Sequence, residues 1–121
     1  MNAYIVAMLL IINLHLYAEE KGKHYSRIRM SKDTVRKISD RSFLRDIFIS
    51  ELTDELHNLG WHFIEVSDTE FAMIELERVS RWGKISSKRV GELINNDNAI
   101  KEIWKTISSH HDGISIPDDG D

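Results

Sequence analysis

Leu44 to Trp61 reads Leu-Arg-Asp-Ile-Phe-Ile-Ser-Glu-Leu-Thr-Asp-Glu-Leu-His-Asn-Leu-Gly-Trp, and this stretch decides the fold. Leu44, Phe48, Leu52, Leu56 and Leu59 recur at spacings of four, four, four and three, the period of one face of an α-helix. Ile47 widens that apolar stripe. Ser42 is placed to cap the helix and Gly60 to end it, since a hydroxyl satisfies unpaired N–H groups and glycine tolerates the turn at a helix end. Beyond Gly60, Trp61–Val66 and Phe71–Leu76 are rich in aromatic and β-branched residues and flank the polar Ser67-Asp68-Thr69-Glu70. Two such runs around a polar turn predict a β-hairpin.

Upstream, Ser31 is a good N-cap with Asp33 in the first turn, where the helix dipole favours an acid. The helix it opens runs to about Ser39 and buries Val35 and Ile38. Tyr25 to Met30 alternates apolar and polar residues, the pattern of a short half-buried strand. Ala3 to Glu20 reads as a first helix, stopped at Gly22.

Ala3 to Ala18 is nearly all apolar, broken by Asn13 and His15, with no Lys or Arg before it. It is shorter than the roughly 20 apolar residues of a membrane span and lacks the basic start of a secretory signal. The expectation is a buried helix and no membrane partner. A helix apolar on all sides needs cover on all sides. Tyr4, Met8, Ile11 and Ile12 are therefore expected at a homodimer interface.

Downstream, Trp82 is expected to pack on the core, and Ser86 or Ser87 to cap a short helix through Ile94. Ala99 to Ser108 reads as a last helix with Ile100, Ile103, Trp104 and Ile107 on one face. The chain has 121 residues and no cysteine, which predicts one cytoplasmic domain over residues 1–109 and a flexible acidic tail over 110–121.

The net charge of −4 conceals blocks of opposite sign. Between residues 21 and 45 stand nine bases, Lys21, Lys23, Arg27, Arg29, Lys32, Arg36, Lys37, Arg41 and Arg45, against Asp33 and Asp40. Between 46 and 77 stand nine acids and no Lys or Arg. Such segregation makes opposed surface potentials. In one reading the basic block, joined by residues such as Lys88 and Arg89, faces an anionic partner. In the other, the helix carrying it covers the acidic helix beside it.

The order helix, strand, helix, helix, hairpin, with Met-Ser-Lys-Asp-Thr-Val-Arg-Lys-Ile at 30–38 ahead of the leucine-striped helix, resembles winged helix-turn-helix DNA-binding domains over residues 3–76. The resemblance implies an α+β, mostly helical fold: a three-helix core with a β-hairpin, plus one or two C-terminal helices. It also implies a small non-enzymatic protein of transcription regulation that binds double-stranded DNA. Thr34, Arg36 and Lys37 would lie on the second helix, and Arg41, Ser42 and Arg45 at the exposed start of the third, where such residues reach phosphates or base edges. With Arg27, Arg29, Lys32, Lys88 and Arg89 they form the expected nucleic-acid-binding set. Asp46, Asp54, Asp68 and Glu70 depart from the family's pattern, because phosphates repel acids at those positions. The alternative is a protein-interaction module whose partner sits on the acidic hairpin face.

Asp46, Glu51, Asp54 and Glu55 on the third helix are carboxylates of the kind a metal-dependent nuclease uses, but no spaced acid–lysine set accompanies them. The six histidines show no ligand spacing. No catalytic residue, metal site or cofactor is predicted.

Overall fold

A computed structural model describes residues 1–111. The tail expected over 110–121 lies outside these residues, apart from His110 and His111, which close the last helix. The described chain divides at Trp82 into two compact units, Met1–Trp82 and residues 83–111, each considered by itself.

The first unit runs α1 (Ala3–Lys21), β1 (Arg27–Ser31), α2 (Lys32–Ser39), α3 (Asp46–Asn58), β2 (Trp61–Glu65), β3 (Glu70–Glu75) and the single turn α4 (Leu76–Val79). The strands form one antiparallel sheet in the order β1-β3-β2. The architecture is α+β and mostly helical.

Local chemistry sets the element boundaries. Asn2 caps α1 by accepting from the Ile5 N–H at 3.0 Å, and Gly22 ends it in the left-handed region at φ 65°. Ser31 accepts from the Thr34 N–H at 3.0 Å and caps α2 as expected. Asp40 ends α2 with φ 54°, its N–H pointing at the Arg36 and Lys37 carbonyls.

The start of α3 differs from expectation. Ser42 does not cap it; Arg45 holds the N-cap position with no side-chain bond. Leu44 and Ile49 stand at the N′ and N4 positions and both pack on the core, so a hydrophobic staple fixes the entry in place of a hydroxyl. Asp46, in the first turn, meets the positive end of the helix dipole.

The core joins Val6, Ala7 and Leu10 of α1, Val35 of α2, Phe48, Leu52 and Leu56 of α3, and Phe63, Phe71 and Met73 of the sheet. Phe63 and Phe71 stack with ring centroids 4.6 Å apart. The register sets Ile28, Met73 and Phe63 in one row across the three strands, all on the core face. Ile47 does not widen the buried stripe of α3. It is 69% exposed, because the helix turns the Phe48, Leu52 and Leu56 face inward and Ile49 fills the flank. Leu59 is the C-cap and is exposed. Trp82, expected against the core, is 56% exposed in the turn after α4.

α1 is apolar all round but covered on one side only. Ala3, Val6, Ala7, Leu10 and Leu14 are buried, whereas Tyr4, Ile5, Ile12 and Leu16 are exposed. The helix extends to Lys21, further than the apolar run, and at 19 residues it is long and apolar enough by composition to cross a membrane.

The second unit holds a 3-10 turn (Lys88–Val90) and α5 (Asp97–His111). The expected helix from Ser86 or Ser87 to Ile94 is only that turn: Ser87 makes no side-chain cap bond, and turns follow from Gly91. α5 begins at Asp97 rather than Ala99, because the Asn96 side chain accepts from the Ala99 N–H at 3.2 Å and Asn95 makes the left-handed turn before it at φ 71°.

Candidate functional site

The basic segment runs from the end of α1 through β1 and α2 to the α2–α3 connection. Most of its cations have partners, and the carboxylates among those partners come from the hairpin or from α2 itself rather than from α3. Lys32 Nζ meets Glu65 Oε1 at 2.8 Å and lies 5.4 Å from the Phe71 ring centre, with its side chain only 20% exposed. Arg29 meets Glu70 at 3.7 Å. Arg36 and Lys37 share Asp33, at 3.8 and 3.2 Å, one turn apart on α2. Lys21 and Lys23 lie over the Tyr17 and Tyr25 rings. The two rings are 5.3 Å apart, and burial foremost, then Tyr17, raises the Tyr25 phenol above the ordinary tyrosine value.

Arg41 serves the fold. Its guanidinium carbon sits 3.8 Å from the Phe48 ring centre, and one of its terminal nitrogens donates to the Met1 carbonyl at 3.0 Å. Its Nε is buried with no hydrogen-bond partner among the described residues. The anchoring that fixes the start of the chain also leaves this arginine only partly exposed.

Three hollows hold seven of the expected residues. Lys32, Arg36 and Ser42 line a cleft of about 500 Å³ with Asp46, Ser50, Glu65 and Asp68, between the α2–α3 connection and the hairpin. Arg36, Lys37, Arg41 and Ser42 line a second, of about 370 Å³, with Asp33 and Asp40. Each hollow therefore mixes both signs. Arg29 and Thr34 instead line a groove of about 700 Å³ between α1 and β1. Thr34 is already in the cap of α2, its hydroxyl 3.0 Å from Ser31 Oγ. Arg45 is exposed beside Asp46, without an ion pair among the described residues. Arg27 stands on β1 opposite Ile74. Lys88 and Arg89 belong to the second unit, in its 3-10 turn.

The outward face of α3 carries Asp46, Ser50, Glu51, Asp54 and His57, and the hairpin tip carries Asp68. Among the described residues no group of three or more His, Asp or Glu side chains is placed to hold a metal ion, so the α3 carboxylates do not converge. Of the expected dimer residues, Tyr4 and Ile12 are about half exposed, while Met8 is half-buried and Ile11 packs on the core.

Sequence reasoning missed the hairpin carboxylates as partners and the groove along β1. The only signal for the first is Glu65, Glu70 and Glu75 in strands with no basic residue of their own. No protein-family model matches the chain, and neither a curated protein nor a solved structure does.

Proposed function

We propose that this chain is a small non-enzymatic regulatory module with a winged-helix-like core, and that its partner is a protein rather than duplex DNA. The order α1-β1-α2-α3-β2-β3, with the last strand at the middle of the sheet, supports the winged-helix assignment. The observation that carries the choice of partner is the engagement of the basic segment with carboxylates. Lys32 and Arg29 are tied to Glu65 and Glu70 of the hairpin, and Arg36 and Lys37 to Asp33. Phosphates would have to displace these pairs while facing acids on α3 and at the hairpin tip. Opposed charge patches suit a protein partner, for which they set orientation and association rate. The outward face of α1, with Tyr4, Met8 and Ile12, is the surface for self-association.

A second reading keeps the DNA partner. It is favoured by Lys37, whose side chain is 78% exposed, and by Ser42 and Arg45, exposed just before α3.

Anisotropy of a labelled random duplex, titrated at two salt concentrations, separates the two. The expected outcome is no salt-dependent binding by the unaltered protein. Glu65→Gln with Glu70→Gln should create such binding by releasing Lys32 and Arg29. Binding by the unaltered protein that weakens steeply with salt overturns the proposal in favour of DNA, because released counterions give that slope. Lys37→Glu and Arg45→Glu would then abolish it.

A further inference from the structure

We infer that the outward face of α1 docks on the same face of a second copy of this chain, with the two helices antiparallel and the two-fold axis level with the middle of α1. The inference rests on the self-association reading above and adds the direction of the helices and the pairing of residues.

The apolar stripe comes first. Ile5, Met8, Ile12 and Leu16 follow one another at spacings of three, four and four, which draws one line along a helix, and Tyr4 and His15 flank that line on one side. Tyr4, Ile5, Ile12 and Leu16 are 41 to 55% exposed, and Met8 is half-buried among them. On the opposite face Val6, Ala7 and Leu10 are locked into the core, so the stripe cannot turn inward. Two such faces laid together cover on the order of 1,000 Å², the least that a stable pair needs.

Charge sets the direction. The next position on the same line is Glu19, exposed, three residues beyond Leu16. At the other end of α1 stand the positive end of the helix dipole and the Arg41 guanidinium, which donates to the Met1 carbonyl at 3.0 Å. A parallel pair sets Glu19 against Glu19. An antiparallel pair sets it beside the helix start and Arg41 of the second copy. In that pairing, residues whose numbers add to about twenty lie level with one another. Met8 then meets Ile12, Ile5 meets Leu16, and the Tyr4 hydroxyl reaches the His15 imidazole at the rim. The face is complementary to itself, as a two-fold contact between identical chains demands.

A membrane is the competing occupant, since α1 is long and apolar enough by composition to cross one. Spanning it would pull Val6, Ala7 and Leu10 out of the core. Lying flat on it, the helix would offer Glu19 and Glu20 to anionic headgroups, with no Lys or Arg between Ala3 and Glu20 to meet them. The imidazole of His15 likewise suits a hydroxyl better than acyl chains.

The test uses the full chain, whose lack of cysteine makes single introduced cysteines clean reporters. Sedimentation should show a dimer with Kd in the micromolar range. Ile12→Asp, at an exposed position, should weaken it about tenfold or more, with the circular dichroism spectrum of the dilute protein unchanged. Ile5→Cys mixed with a tagged Leu16→Cys should oxidise mainly to the mixed disulfide. Antiparallel packing brings those two positions together and holds each roughly 15 Å along the axis from its own copy, too far for a bridge. A monomer at every concentration overturns the self-association reading and the inference with it. A dimer that ignores Ile12→Asp puts the contact elsewhere than α1, and same-site disulfides in place of the mixed one make the pair parallel; either overturns the inference and leaves self-association standing. Binding of a monomer to phosphatidylcholine vesicles, removed by Ile12→Asp, gives the face to a membrane instead.

Discussion

The first unit buries eleven residues in one cluster across three helices and a sheet, whereas no residue of the second unit with a described burial is buried. Both have helices with apolar residues at helical spacing: Phe48, Leu52 and Leu56 on α3, and Ile100, Ile103, Trp104 and Ile107 on α5. The difference is the second layer. α3 has the sheet and α1 to bury its stripe, and the described residues of the second unit offer a short turn and one helix. An amphipathic pattern makes a helix plausible; only a facing layer makes a core.

Substitutions can break or sharpen that contrast. Leu52→Ala or Leu56→Ala, both fully buried, should destabilise the protein by about 2–5 kcal/mol in urea unfolding. A loss below about 1 kcal/mol would mean that the first unit is packed no better than the second. Arg41→Ala should cost about 1–2 kcal/mol, through lost cover on Phe48 and a freed start of the chain. Ser31→Ala should cost about 1 kcal/mol as the α2 cap is lost. Glu65→Gln should cost less, about 0.5 kcal/mol, since its partner Lys32 is mostly covered but the carboxylate is half exposed. Trp104→Ala on the second unit should move the unfolding midpoint least of all, within about 0.5 kcal/mol, although tryptophan is the largest side chain in the set.

Much of the first unit was legible because its signals are local and mutually consistent. The alternation of Tyr25 to Met30, the Ser31 cap, the leucine stripe and the polar hairpin turn each declare one element, and each element is present, with β1 shifted to Arg27–Ser31 and α3 starting later than expected. What was not legible depends on distance. Lys32 meets Glu65 across thirty-three residues, and the edge of β1 exists only because β3 returns to pair with it. Sequence spacing cannot say which cation a remote carboxylate will hold. The misread start of α3 has a different cause. Ser42 has the right chemistry for a cap, but Leu44 and Ile49 gain more by packing on the core, and the helix begins where they allow. The same competition misplaced Trp82: an aromatic residue reads as core until the layer that should receive it proves to have ended.

The strand at the middle of the sheet is the last of the described strands. A nascent chain carrying β1 must extend by about forty more residues before Glu70–Glu75 exists to join it, a delay of a few seconds at ordinary rates of synthesis. During that interval β1 and β2 have no strand between them, and Ile28, Met30 and Phe63 have no row to complete. Closing so long a loop adds entropy cost before any contact rewards it. The hairpin and α3, whose contacts with one another are short-range, are therefore expected to form first, with β1 docking afterwards. β1 is one of the two edge strands and the one joined through the longer loop, so amide exchange should find it the first part of the sheet to open.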